Sequence, residues 1–204
     1  MTTDTREERL ERRIADLVST DPQFAAAAPS ESVSAAADAE GLQLPQIVQT
    51  VLQGYADRPA IGERAVEFVT DPQTGRTSAQ LLPRFDTITY GQVWDRVRAL
   101  ASALHEAGVA AGDRVAILGF ASADYTVVDT ALGQLGAVSV PLQTSSSTSA
   151  LAPIVVETEP RVIAASVDYL DDAVELALTA YAPSKLVVFD HHAEVDDHRD
   201  AVAA

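Results

Sequence analysis

Apolar residues recur at helical spacing through the first quarter of the chain. Leu10, Ile14, Leu17 and Val18 share one face of a segment over 6–19 whose other face is Arg and Glu, so a charged amphipathic helix is expected there. Ser30 and Gly41 bracket a short Ala-rich helix at 31–39, and Pro45 opens another with Ile47, Val48, Val51, Leu52 and Tyr55 in one stripe. The period then changes. Val66, Phe68 and Thr77 to Leu82 read as strand, and Asp71-Pro72-Gln73-Thr74-Gly75 between them reads as the loop of a β-hairpin. Ile88 and Tyr90 suggest a further short strand.

From Thr89 onward strands and helices alternate. Thr89 is placed to cap a helix with Val93, Val97, Leu100, Ala101 and Leu104 on one face, stopped by Gly108. Arg114 to Gly119 is a strand; Ser122 caps a helix carrying Tyr125, Val128, Leu132 and Leu135, stopped by Gly136. Val138 to Leu142 is a strand with a late interruption at Pro141, 148–157 is helical, and Val162 to Ala165 is a strand. Asp168 or Asp171 starts a helix with Val174, Leu176 and Leu178, Leu186 to Phe189 is a strand, and 193–204 begins a last helix. Continuous apolar strand cores separated by helices predict βαβ units and a parallel sheet covered on both faces. The expected fold is α/β: N-terminal helices and a β-hairpin, then βαβ units with at least four parallel strands. The expected division is an N-terminal helical segment at 1–58 and a second region at 59–204. The final helix runs out without a stop signal, which reads as a chain continuing elsewhere.

Composition narrows the classes of function. In 204 residues, 47% are hydrophobic and 22% charged, which fits a globular chain and excludes wholesale disorder. With no Cys there is no disulfide, Cys zinc site, iron–sulfur cluster or Cys nucleophile. A formal charge of −16 repels phosphate backbones and anionic lipid, so neither nucleic acid nor membrane is expected as a partner. The charged N-terminus MTTDTREERLERR has no apolar core of a secretory signal, and no apolar run approaches the roughly 18 residues of a membrane span. These features read as a soluble cytoplasmic chain.

Several segments invite chemistry. Gly119-Phe120-Ala121-Ser122-Ala123-Asp124 stands where a dinucleotide fold keeps its Gly fingerprint, but only the first Gly is present, so a Ser-capped turn is expected. The hydroxyl-rich stretch Thr144-Ser145-Ser146-Ser147-Thr148-Ser149 lacks the Gly and Lys of a phosphate loop and reads as a loop with an N-cap. Asp190, His191, His192, Asp196, Asp197 and His198 have the donor types of a zinc or iron site, yet a solvated loop and an acidic helix start explain them as well; no metal site is expected. Gly112-Asp113-Arg114 reads as a polar turn, and Trp94 as packing rather than a stacking platform.

Three motifs in order carry a resemblance: Thr89-Tyr90-Gly91-Gln92-Val93, Gly112-Asp113-Arg114-Val115, and Leu135-Gly136-Ala137-Val138-Ser139-Val140-Pro141-Leu142. They resemble the adenylate-forming enzymes, which include acyl-CoA synthetases, luciferases and peptide-synthetase adenylation domains. Arg6-Glu7-Glu8-Arg9-Leu10, Asp21-Pro22-Gln23-Phe24, Gly54-Tyr55-Ala56-Asp57-Arg58-Pro59, Leu81-Leu82-Pro83-Arg84-Phe85, Pro141-Leu142-Gln143-Thr144-Ser145 and Val187-Val188-Phe189-Asp190-His191-His192 sharpen it. They are similar to the start of actinobacterial carboxylic acid reductases, whose relatives are often labelled fatty-acid–CoA ligases.

The resemblance implies an AMP-binding adenylation domain, with residues 59–204 a part of it that stops before the phosphate loop. It implies a fatty or aromatic carboxylic acid as substrate, ATP and Mg for activation, and phosphopantetheine and NADPH in carrier and reductase domains that yield an aldehyde. The family's Lys-ended phosphate loop, pocket His, aromatic-Gly-x-Thr-Glu motif and late Lys have no counterpart here. No catalytic, cofactor-binding or metal residue is therefore assigned, and this chain alone is expected to be inactive. Two other readings stand beside this one, a non-catalytic remnant or interaction module and a plain fatty acyl-CoA ligase. The sequence does not fix the oligomeric state.

Overall fold

The computed structural model describes residues 5–204; the first four residues of the charged N-terminus lie outside them. The chain forms two compact units, Met1–Leu42 and Gln43–Ala204.

The first unit is helical. Helix α1 (Arg6–Thr20) starts on a reciprocal cap: the Thr5 hydroxyl accepts the Glu8 N–H, and the Glu8 carboxylate accepts the Thr5 N–H. Helix α2 (Pro22–Ala27) begins with Pro at its first position, and the Asp21 carboxylate accepts the N–H groups of Gln23 and Phe24. Helix α3 (Glu31–Ala37) starts after Ser30, whose hydroxyl meets that of Ser32 rather than capping the helix. None of the three helices has a fully buried residue, and Leu10, Ile14 and Val18 stay exposed.

The second unit holds the sheet. It opens with α4 (Leu44–Gly54) and a long antiparallel hairpin, β1 (Pro59–Thr70) and β2 (Thr77–Thr89). The turn forms as the Asp-Pro and Gly signals predict: the Asp71 carboxylate accepts the Gln73 N–H, and Gly75 takes φ +71°. Strand β2 runs unbroken to Thr89, so the separate short strand expected at Ile88–Tyr90 does not exist, and Tyr90 opens α5 (Tyr90–Glu106). The ladder shifts register between Arg64 and Val66, opposite Pro83, which has no partner there. A bulge absorbs a proline that a regular ladder could not bond.

Helix α5 begins on a second reciprocal cap, Thr89 with Gln92. There follow β3 (Arg114–Leu118), α6 (Ala123–Leu135), β4 (Val138–Leu142), α7 (Thr148–Thr158), β5 (Val162–Ser166), a 3-10 turn (Val167–Tyr169), α8 (Leu170–Thr179), β6 (Lys185–Phe189) and α9 (Asp196–Ala203). The four strands pair in parallel in the order β4-β3-β5-β6, as the alternating pattern predicts. Pro141 does not interrupt β4, because an edge strand has one side without ladder bonds on which a missing N–H costs nothing.

Side chains alternate between the two faces of the sheet. Val115 and Ile117 of β3 and Val162 and Ala164 of β5 pack with Leu104 of α5 and Val128 and Leu132 of α6. Ala116, Leu118, Ile163 and Ala165 point the other way, onto Leu151 and Val155 of α7 and Ala173 and Leu176 of α8. A third cluster joins α4, α5 and α6 through Leu52, Val93, Trp94, Val97, Val127 and Ala131. Helix α8 departs from expectation. It starts at Leu170 after the 3-10 turn and turns Leu170, Ala173 and Leu176 inward, which leaves Leu178 81% exposed.

Candidate functional site

The crossover from β3 leads through α6 to β4 on one side, and that from β5 leads through α8 to β6 on the other. Adjacent strands whose connections leave in opposite directions create a crevice beyond their carboxyl ends, the usual ligand position in open α/β sheets. Gly119 and Ser166 end the two strands there. A Cβ at Gly119 would lie 2.7 Å from Cζ of Phe189 and 3.0 Å from Cβ of Ser166, so only glycine lets the chains come this close. The rings of Phe120 and Tyr169 meet edge-to-face across the mouth, 5.6 Å apart.

Beside this crevice lies a cleft of about 470 Å³ between the hairpin and the loops after β3 and β6. Asp190, a non-glycine residue with φ +55°, lines it. The Ser122 hydroxyl donates to both Asp190 carboxylate oxygens (2.8 and 3.1 Å) while accepting the Tyr125 N–H, so it caps α6 and ties it to β6. The Asp190 N–H reaches Asp124 at 3.3 Å, and Glu63 of β1 accepts the Ala123 N–H at 2.7 Å. Burial pushes the Asp190 carboxyl above its ordinary value, the Ser122 hydroxyl opposes this, and Asp124, Glu63 and Asp168 push it further up.

A raised carboxylate opposes folding above its folded pKa, and the opposition fades as pH falls through that value. Asp190→Asn retains an acceptor for Ser122 and tolerates the backbone. It is expected to raise the midpoint of thermal unfolding at pH 7, by about 2–4 °C for each kcal/mol relieved. The gain should shrink at pH 4; calorimetry showing a lower midpoint at pH 7 would contradict the assignment.

The residues singled out by sequence fall into different places. The segment Gly119–Asp124 is a close approach followed by a Ser cap. In the hydroxyl-rich stretch, Ser147 caps α7, Thr148 donates to Glu175, and Gln143 donates to Ser145. Asp113 accepts the Ala110 N–H and faces Arg161, as a turn Asp does. Trp94 is 9% exposed within the helix layer and borders an open groove of about 660 Å³. The histidine and carboxylate set divides: Asp190 goes to Ser122, Asp197 to Arg76, Asp196 to Thr77 and Arg199, while His191 and His192 gather on His198. No group of three or more His, Asp or Glu is arranged to hold a metal among the described residues. Titration with zinc at neutral pH is expected to show no site tighter than micromolar; stoichiometric tight binding abolished by His191→Ala would contradict this.

The Ser122–Asp190 link escaped the sequence reading. Its partners are 68 residues apart, and no short-range signal marks an Asp that will turn left-handed after a strand. The electrostatics of the whole mouth are clear. Asp124, Asp190, Glu63 and Asp168 gather at the carboxyl ends, with Arg64 and Arg96 lining the same cleft, whereas Lys185, the single lysine, begins β6 at the opposite end of the sheet. Both arginines are already engaged, Arg96 by Asp124 at 3.7 Å and Arg64 by the Leu82 carbonyl and the Phe85 ring. The carboxylates outnumber the cations, a poor fit to a triphosphate, which needs free cations and close backbone N–H groups.

Comparison with known proteins agrees with this architecture. The model of the family described as AMP-binding enzyme matches residues 52–202. The carboxylic acid reductase of Mycobacterium marinum is 59% identical over 97% of this chain, and that of Mycobacterium tuberculosis 57% over 97%; the chain spans 17% of the length of each. The adenylation domain of carboxylic acid reductase from Segniliparus rugosus, solved with AMP and a co-purified carboxylic acid, superposes with a TM-score of 0.90 at 46% identity, covering 95% of this chain and 31% of that one. No helix among the described residues is long and apolar enough to cross a membrane. The chain belongs to the AMP-binding enzyme family, and over nearly its whole length it is similar to the adenylation domain of carboxylic acid reductases.

Proposed function

We propose that this chain is structural wall, not catalytic centre, of an ATP-dependent carboxylate-activating domain. The observation that carries the reading is 59% identity to a carboxylic acid reductase over 97% of the chain, joined to a crevice whose mouth is acidic. In this reading the parallel sheet and its covering helices present the crevice. Gly119 permits the close approach of β3, β5 and β6, and Ser122 and Asp190 fix the loops at its rim. None of the chain's residues is assigned as catalytic, cofactor-binding or metal-binding.

Residues 1–58 serve as the helical N-terminal segment and 59–204 as the partial AMP-binding domain. Helix α4 precedes that division yet packs with α5 and α6. ATP, Mg, phosphopantetheine and NADPH belong to a longer protein. There a fatty or aromatic carboxylic acid would be adenylated, passed to a carrier and reduced to the aldehyde, in the cytoplasm. The test is titration of the 204-residue chain with ATP and magnesium. Binding no tighter than millimolar supports a wall; micromolar binding would place phosphate donors in this chain and overturn it.

A further inference from the structure

Residues 190–204 leave the sheet after β6 and return against the tip of the hairpin. Several contacts fasten them. Arg76 lies 2.6 Å from both Asp197 and Asp200, Asp196 accepts the Thr77 N–H, and the ring of Phe68 lies 5.5 Å from that of His192. Inside the returning segment, the His192 N–H donates to Nδ1 of His198 at 3.0 Å. The two rings stack at 5.7 Å with 23° between their planes, and the ring of His191 lies 6.0 Å from that of His198.

A ring nitrogen that accepts a backbone N–H carries no proton. His198 is therefore neutral in this arrangement, with its proton on Nε2. Protonation at Nδ1 turns the acceptor into a second donor facing the His192 N–H, and brings a positive charge against two more imidazoles. The Thr77 N–H and the guanidinium groups of Arg199 and Arg76 hold the Asp196 carboxyl below its ordinary value, away from the range in which an imidazole titrates.

We propose that His198 is a pH-sensitive latch: neutral, it holds the 190–195 loop and α9 together against the hairpin, and protonated, it releases them. The surroundings fit this role. Burial lowers the pKa of His198 from its ordinary 6.5, and His192 and His191 lower it further, while Asp168 of the 3-10 turn and Asp197 of α9 oppose them. The other charged groups of this fastening are Arg76 on the hairpin and Asp196, Arg199 and Asp200 on α9 itself. Helix α8, which also packs against α9, carries Asp171, Asp172 and Glu175, the last accepting from Thr148 of α7. The sign follows from linkage: the unfolded imidazole takes its proton at a higher pH than the folded one. The stability the latch contributes is present above 6.5 and lost as pH falls from 6.5 toward the lower folded value.

Amide hydrogen exchange on the full 204-residue chain at pH 7.5 and 5.5 tests this. After correction for intrinsic rates, protection at the His192 amide and at the amides of α9 is expected to fall severalfold at the lower pH. The amides of β3 and β5 should keep theirs. His198→Asn offers a side-chain oxygen where Nδ1 stood and does not titrate, so it should hold protection constant. Unchanged protection in the unsubstituted protein, an equal fall in His198→Asn, or a parallel fall in β3 and β5 would each overturn the latch. Imidazole nitrogen shifts give a second reading that needs no variant: a proton on Nδ1 of His198 at pH 7.5 would also overturn it.

Discussion

Ile117→Ala is expected to lower the unfolding free energy by about 2–5 kcal/mol, whereas Leu178→Ala should change it by less than about 0.5 kcal/mol. Ile117 is fully buried in the middle of β3, among Val115, Val128, Leu132 and Val162. Its neighbours lie on two strands and one helix, so they cannot collapse into the space left by three missing carbons, and the cavity adds to the lost transfer energy. A domain of ordinary stability holds about 5–15 kcal/mol, so this substitution removes a large share. Leu178 loses the same number of carbons, but it lies on the solvent side of α8 at 81% exposure. Urea unfolding of both variants checks the pair. Similar losses in the two would mean that α8 packs through the stripe suggested by sequence, Val174, Leu176 and Leu178, rather than keeping only Leu176 of it and turning Leu170 and Ala173 inward.

That contrast marks how far the sequence could be read. Caps and stops were legible because they are local: Thr89 ahead of α5, Ser122 ahead of α6, and Gly136 in the left-handed conformation after it. The parallel sheet was legible because its strands are short apolar runs, and a strand buried on both faces cannot be written otherwise. The face of α8 was not legible. Its apolar residues circle the helix, and which of them turn inward depends on where the preceding 3-10 turn sets the start. Nor was the unbroken β2, since a proline in a strand is tolerated only where the partner strand bulges, and the bulge belongs to the pair. At the candidate site the hydroxyls and carboxylates were visible as residues. Their partners were not, because Glu63, Ser122, Asp168 and Asp190 meet through tertiary structure alone.

The larger expected effect concerns activity. Adenylation requires donors that hold the phosphates of ATP in line with a carboxylate, and cations that offset the charge developing in the transition state. The rim of this chain's crevice carries more carboxylates than cations, its arginines Arg64 and Arg96 are engaged by Leu82 and Asp124, its single lysine stands at the far end of β6, and the whole carries a charge of −16. Such a surface lowers the local concentration of an anionic nucleotide before any chemistry begins. Absence of the donors is expected to reduce turnover by several orders of magnitude, since removing one such donor from an enzyme costs about 10²–10³ in rate.

The most direct measurement is carboxylate-dependent exchange of pyrophosphate into ATP. It should be made with the purified 204-residue chain beside a longer protein that continues this sequence over the rest of an adenylation domain such as its relatives possess. No exchange above background by the chain, and ready exchange by the longer protein, is the result predicted for a wall that frames a catalytic centre built elsewhere. Exchange by the chain at a rate near that of the longer protein would contradict it.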